Sequence, residues 1–406
     1  MKQTYFSGGS LILPDQIIAE GALLVEGGRI VAVGREADIA CPEGAERVRA
    51  DGGFIGPGYV DLHVHGGAGA DFMDATAEAW QTGLRAHARH GTTSCTPTMT
   101  VAPFAQILAA LDWAVAGVAE RGFGLWNGEP GVRVLGAHFY GPYFAPGAEG
   151  CHPGAALRPP VAEEYEAFLQ RTEAIASATV APELPGAEAF SRAVVERGIC
   201  LHLGHTNATF VEVEKALTWG ASHVDHLFCA MSDKSKLRSL PGAPVYPMRG
   251  GTLEAALYFD ELTTEVIADG KHLTADLLRL ALKFKGPERL ALVTDCNRAL
   301  DLPDGEYMFG PLEGGARFVR RDGVGIMPDG SALASGCMGM DHMVRTCYAQ
   351  SGASLDEVVR MASATPATIL RRQDIGSLAK GKCADVLLLN EDLEVMRVFI
   401  EGRELL

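Results

Sequence analysis

No stretch of the sequence reaches the roughly 18 consecutive apolar residues that a membrane helix needs, so no membrane span is expected. The opening segment, MKQTYFSGGSLILPDQ, lacks a continuous apolar core, and no secretory signal is expected either. The nine cysteines form no CxxC pair and are odd in number. That usage reads as reduced thiols in a cytoplasmic protein. Positive charge is scarce: 35 Lys and Arg against 51 Asp and Glu leave a net charge of -16. Nucleic acid and anionic membrane are therefore disfavoured as main partners. Internal repeats and low-complexity linkers are missing. No GxGxxG follows the first predicted strand, which disfavours an open doubly wound dinucleotide sheet.

What is present is a well-packed composition, 47% hydrophobic and 21% charged over 406 residues. That length allows one large domain with an accessory piece, or two medium ones. Both ends carry short apolar runs broken by turn residues, such as Ala22–Val25, Gly27-Gly28 and Ile30–Val33, then Ala384–Leu389 and Glu394–Ile400. They predict strands and hairpins. Residues 1–52 together with 380–406 are expected to form one small β-sandwich domain. The middle alternates. Strands are predicted at Tyr59–His65, Thr92–Thr98, Val132–Tyr140, Ala178–Pro182, Cys200–His205, His223–Phe228, Thr264–Ala268 and Leu290–Asp295. Helical patterns separate most of them, including Phe104–Glu120, Ala162–Ala176, Ala187–Glu196 and Ala275–Phe284. Eight strands with intervening helices predict an α/β fold of (β/α)8 TIM-barrel type over residues 53–379, with a Gly-rich β insert near 305–334.

Polar residues fall where such a barrel would use them. The first strand ends Asp61-Leu62-His63-Val64-His65, and alternation puts His63 and His65 on one face. His205, His226 and Asp295 close the predicted fifth, sixth and eighth strands. Barrel active sites gather at those ends. Imidazole and carboxylate together suit zinc or a similar divalent metal. A single strand histidine is usually structural, but five such residues converging on one volume favour a metal site. Cys151, Cys229 and Cys296 also fall near this face, where a buried inert thiol is the plainer reading.

The segments GPGYVDLHVHGG (56–67), GTTSCTPT (91–98), VAPE (180–183), LGHTNAT (203–209), HLFCAMS (226–232), IADGKHL (267–273), VTD (293–295) and ATPATILRRQDIGSLAKGKCADVLLLN (364–390) resemble the amidohydrolase superfamily. Within it, they resemble the N-acetylglucosamine-6-phosphate deacetylases, over nearly the whole chain. The resemblance implies water activated by a divalent metal attacking an N-acetyl carbonyl. It implies zinc first, with manganese, iron or cobalt as alternatives, and one or two ions. By resemblance, His205 and His226 match metal histidines and His63 and His65 match the first-strand pair. Asp295 matches the catalytic acid/base, His152 the residue polarising the acetyl carbonyl, and His272 a sugar contact. His138 and Ala230 fall at pocket-lining, substrate-binding positions. A homodimer in the cytoplasm is also implied.

Three departures from the family pattern matter. Its H-L-E-G-P reads His138-Phe139-Tyr140-Gly141-Pro142, so a principal metal carboxylate is replaced by Tyr140. A phenol, with a reference pKa of about 10, is a neutral and poorer ligand. The metal is then expected on His63, His65 and Asp295, with His205 or His226 completing the shell, or else Glu183 reaches in. Glu183 reads equally as a structural loop acid. The family asparagine that helps hold substrate is Cys229, and the phosphate-gripping R-E-P-G is replaced by a stretch around Arg249. Lys234, Lys236, Arg238 and Arg249 form a basic loop that could grip a phosphate or simply face solvent. Three functions remain open: deacetylation of an N-acetylated amino sugar phosphate, hydrolysis of another N-acyl or cyclic amide, or non-catalytic binding.

Overall fold

The computed structural model describes residues 2–244 and 246–405. Eight parallel strands form a barrel: Tyr59–Val64, Thr92–Pro97, a third in two pieces (Arg133–Val134 and Ala137–Tyr140), Ile175–Val180, Cys200–Leu203, Ala221–Val224, Thr263–Ile267 and Leu290–Val293. They pair in sequence order. Isolated parallel bridges between Thr98 and His138 and between Val64 and Cys296 complete the ring. Every residue of the first and eighth strands is buried. Such strands read as near-continuous apolar runs because helices cover the outside and side chains fill the inside.

The helices begin where side chains can satisfy their first N–H groups. Thr76 accepts from Ala79 N at the start of Ala77–Arg89, and Thr209 and Glu212 form a reciprocal capping box at Phe210–Leu217. Each such cap contributes about 1 kcal/mol. The expected helix over Ala162–Ala176 is shorter. It ends at Leu169, a tight turn follows at Thr172–Ala174, and Ile175 pairs with Ala137 as the fourth strand begins. The fourth and sixth strands therefore sit earlier than expected. After Val224 the chain leaves the sheet at Asp225, whose carboxylate is claimed by His202 and Thr179.

The first five strands of the chain (Gln3–Leu13, Gln16–Glu26, Arg29–Arg35, Glu46–Arg49, Phe54–Pro57) join three from its end (Val386–Leu389, Val395–Ile400, Arg403–Glu404) in one sheet. Strands far apart in that sheet share one core, with Ile30 and Phe399 in the same cluster as Phe6, Leu23 and Ile55. The sheet is therefore curled over its own interior, as a terminal β domain beside the barrel. A second antiparallel sheet (Gly305–Phe309, Ala316–Arg321, Val324–Ile326, Leu333–Gly336) follows the eighth barrel strand. Its last strand bridges back to Cys296 through Gly336, which carries Phe309 and Ser335 to the barrel mouth.

A buried ion pair joins barrel and terminal sheet. Arg133 Nη1 donates to Asp385 Oδ2 at 2.7 Å and to Ser94 Oγ at 2.8 Å, and Nη2 donates to Asp385 Oδ1 at 3.3 Å. Both side chains are almost wholly buried. Removing one partner strands the other charge in a low-dielectric interior, which typically costs about 3–5 kcal/mol. Asp385→Ala is therefore expected to lower stability by about that amount in a denaturant titration; a loss under about 1 kcal/mol would show that the pair does not hold the two parts together.

Candidate active site

Three ligand atoms from His63, His65 and Asp295 lie within 4.8 Å of one another, and all three residues are buried. His65 Nε2 is 3.2 Å and His63 Nε2 3.6 Å from Asp295 Oδ1. His63 Nε2 is buried without a hydrogen-bond partner, while its Nδ1 meets Glu265 Oε1 at 2.7 Å. A carboxylate on the far nitrogen is the usual way of fixing the tautomer and orientation of a metal-ligating imidazole. Asp295 has φ of 44°, in the left-handed region, so its side chain turns into the mouth as soon as the eighth strand ends. Ser335 Oγ lies 3.0 Å from Asp295 Oδ1. Oδ2 has no hydrogen bond among the described residues.

The electrostatics favour a cation here. Burial works to push Asp295 up, but His63 and the His65 contact outweigh it and hold the carboxyl below its ordinary range. Burial likewise works to push His63 down, yet Asp295 and Glu265 lift it to about 9. No Lys or Arg lies among these residues, so the negative charge of the two buried carboxylates calls for a cation. A divalent ion can supply that charge. The donor set, two imidazoles and a carboxylate with a buried free nitrogen, fits such an ion.

The rest of the mouth is a cavity of about 460 Å³. Its wall includes His65, Tyr140, His152, His205, His226, Cys229, Ala230, His272 and Asp295. Gly141, at φ 82°, ends the third strand in a turn where a Cβ would lie 2.8 Å from Val101. The chain then runs through Gly150 to His152. Val101 N–H donates to His152 Nδ1 at 3.3 Å. The remaining Nε2 of a neutral His152 thus carries the hydrogen, and burial holds the ring well below its ordinary pKa. His205 Nδ1 meets Ala148 C=O at 2.7 Å, and its ring stacks on Phe144 at 4.2 Å. His272 Nδ1 meets Asp269 Oδ2 at 2.7 Å. The Cys229 thiol is pushed up to about 12 by burial, and among the described residues it joins no group of close ligand atoms.

Several expected residues lie elsewhere. His205 and His226 fall in the turns beyond their strands, although their rings still meet at 5.1 Å. His138 is not on the cavity wall. It lies a layer deeper, bonded through Nε2 to Thr179 Oγ1 at 2.8 Å. Glu183 does not reach the cluster, because Thr206 Oγ1 (2.6 Å) and Asn207 N–H (2.5 Å) occupy both its oxygens. Arg249 is exposed beside Lys234 and Arg238, outside the cavity. Of the four basic loop residues only Lys236, on the short helix Lys234–Ser239, lines the cavity.

Sequence reasoning missed the supports beneath the site. Glu265 binds His63, His223 Nε2 (3.2 Å) and the His226 backbone N–H (3.2 Å). Asp225 accepts from Thr179 at 2.6 Å and meets His202 at 2.9 Å. The available signal was an acid within or beside a predicted buried strand, which must find a partner there.

Residues 54–405 match the profile of the amidohydrolase family. The chain is 31% identical over 349 residues to an N-acetylglucosamine-6-phosphate deacetylase of Vibrio furnissii, covering 86% of this chain and 82% of the relative. It is also 31% identical over 355 residues to an N-acetylgalactosamine-6-phosphate deacetylase of Escherichia coli O157:H7, covering 87% and 88%. The solved N-acetyl-D-glucosamine-6-phosphate deacetylase variant of Mycobacterium smegmatis, in complex with N-acetyl-D-glucosamine-6-phosphate, is similar at a TM-score of 0.86 and 28% identity, covering 100% and 99%. A Pasteurella multocida N-acetylglucosamine-6-phosphate deacetylase gives 0.87 and 26%, covering 99% of each chain. Fold and site thus define a barrel hydrolase with a divalent-metal centre. The chain belongs to the amidohydrolase family, in its N-acetylglucosamine-6-phosphate deacetylase branch.

If Glu265 orients His63, Glu265→Gln keeps the size but weakens the charge-assisted bond. Metal affinity is expected to fall about 10- to 100-fold in a competitive chelator titration. An unchanged affinity would mean that His63 is not held as a ligand.

Proposed function

We propose that this protein removes the N-acetyl group of an amino sugar phosphate, most simply N-acetylglucosamine 6-phosphate, releasing acetate and the free amine. The observation that carries the reading is one cavity wall bearing His65 and Asp295, with His63 of the same cluster buried behind them, together with the Nε2–H face of His152. A divalent ion held by His63, His65 and Asp295, zinc by preference with manganese, iron or cobalt as alternatives, would supply Lewis acidity and lower the pKa of water toward about 7. Asp295, ionised at neutral pH, takes the proton from the attacking water at its free Oδ2 and hands it to the departing amine. Such general acid/base help is worth about 10²- to 10⁴-fold. His152 donates from Nε2 to the developing oxyanion. His272, with Asp269 on its other nitrogen, presents Nε2 to the sugar, and Cys229 and Ala230 border it.

The phosphate half of the reading rests on Lys236, a half-buried lysine on the cavity wall with no ion-pair partner among the described residues. Burial pushes its ammonium below the ordinary range, against the opposing pull of Glu149, Glu183 and Asp233. Cytoplasmic location fits the free cysteines; among the described residues no helix is long and apolar enough to cross a membrane. Assembly as a homodimer fits the exposed apolar side chains Val211, Met248 and Tyr258 around the Phe210–Leu217 and Thr252–Tyr258 helices. Light scattering is expected to give twice the 43.0 kDa chain mass; a monomer mass at working concentration would remove that part.

The relatives include deacetylases of both the glucosamine and galactosamine epimers, so both substrates belong in the assay. Metal-loaded protein is expected to release acetate from at least one of them. His152→Gln is expected to lower kcat about 10²- to 10³-fold, the usual cost of one oxyanion donor. No acetate from either sugar phosphate would sink the named reaction.

A further inference from the structure

We infer that Tyr140 and His226 form a hydrogen-bonded pair in place of a second metal site, so that this chain holds one divalent ion and uses the Tyr140 hydroxyl, beside His152, to polarise the substrate carbonyl. Tyr140 Oη lies 2.5 Å from His226 Nε2. That contact occupies one ring nitrogen of His226, while its Nδ1 is buried without a hydrogen-bond partner. His205 Nδ1 meets Ala148 C=O, which leaves its Nε2 open, so what this corner lacks is an anionic ligand rather than a free nitrogen. Among the described residues, neither imidazole ring has a carboxylate as a hydrogen-bond partner. Among the described residues, no group of three close ligand atoms includes either His205 or His226. Two neutral imidazoles and a neutral phenol offer no anionic ligand to offset the desolvation of a divalent ion. His63, His65 and Asp295 do offer one.

The phenol is rigidly placed. Its ring packs edge-on against His63 at 4.5 Å and Phe144 at 4.8 Å, with His152 at 5.4 Å. When His226 Nε2–H donates to the phenol oxygen, the phenol hydrogen is left for a group in the cavity. His152 presents its own N–H to the same volume. Two fixed neutral donors flanking one carbonyl oxygen form an oxyanion site, and each donor of that kind is worth about 10²- to 10³-fold in rate. No bond to Tyr140 forms or breaks in this role.

The catalytic half of the inference rests on the proposed deacetylation, whereas the ion count does not. The test is zinc reconstitution of the full chain, removal of free metal, and elemental analysis, alongside acetate-release kinetics. Expected are one ion per chain in the wild type and in Tyr140→Phe, with kcat of Tyr140→Phe down about 10²- to 10³-fold, and two ions in Tyr140→Glu. Two ions in the wild type, loss of the ion in Tyr140→Phe, or an unchanged kcat in that variant would each overturn the inference. Should Tyr140→Glu not fold, the wild-type and Tyr140→Phe counts decide alone. One ion with no acetate from either sugar phosphate would overturn the proposed reaction and the catalytic half with it, and leave the single-ion pair supported.

Discussion

At the seam between the first and eighth barrel strands, the Asp295 N–H donates to the His63 carbonyl at 2.9 Å. That bond helps close the ring. It also brings the only carboxylate of the metal cluster to the two imidazoles that share its face. Thr294 reinforces the seam by donating through Oγ1 to Asp61 Oδ2 at 2.6 Å, while Asp61 Oδ1 accepts the backbone N–H groups of His63 and Thr294. Closing the barrel and assembling the site are thus one event. Strand alternation then puts His63 and His65 on the inward face together. The left-handed backbone at Asp295 swings its carboxylate over them.

Below that seam lies a layer of buried charge. Among the described residues, Glu265 and Asp225 have no Lys or Arg partner and are held by His63, His223, His202 and Thr179. Each contact satisfies a polar atom that would otherwise cost several kcal/mol in the core. The layer also fixes the orientation of His63, whose Nε2 is left toward Asp295. Above it, the loop after Gly141 and the sheet after the eighth strand wall off the mouth with His152, Phe309 and Ser335. The chemistry assigned to the cavity follows from these orientations: a carboxylate with one oxygen free, an imidazole with its N–H inward, and a buried nitrogen left for a metal.

The barrel was legible because its strands are short apolar runs separated by amphipathic helices, and because polar residues cluster at their ends. His63, His65 and Asp295 were readable for the same reason, since a strand's period of two needs no tertiary information. Residues just past a strand were harder. His205 and His226 sit in turns with left-handed backbone nearby, and their directions follow from hydrogen bonds to distant residues. Glu183 was left between ligand and structural loop acid, and Arg249 was placed at the substrate, because a loop side chain can satisfy itself locally or in solvent and the residue type alone does not say which. His138 was misread by depth, since it points inward as expected but one layer below the cavity. Glu265 was overlooked although it lay inside an expected strand, because its role depends on two histidines far away in sequence.

The central claim is that Tyr140 has displaced metal binding from the fifth- and sixth-strand histidines to the first-strand pair and Asp295. Anomalous scattering at the zinc edge from crystals of the zinc-loaded protein tests it most directly. The account predicts one strong peak per chain, about 2 Å from a ring nitrogen of His63, a ring nitrogen of His65 and an oxygen of Asp295. A peak of comparable height between His205 and His226 would contradict it.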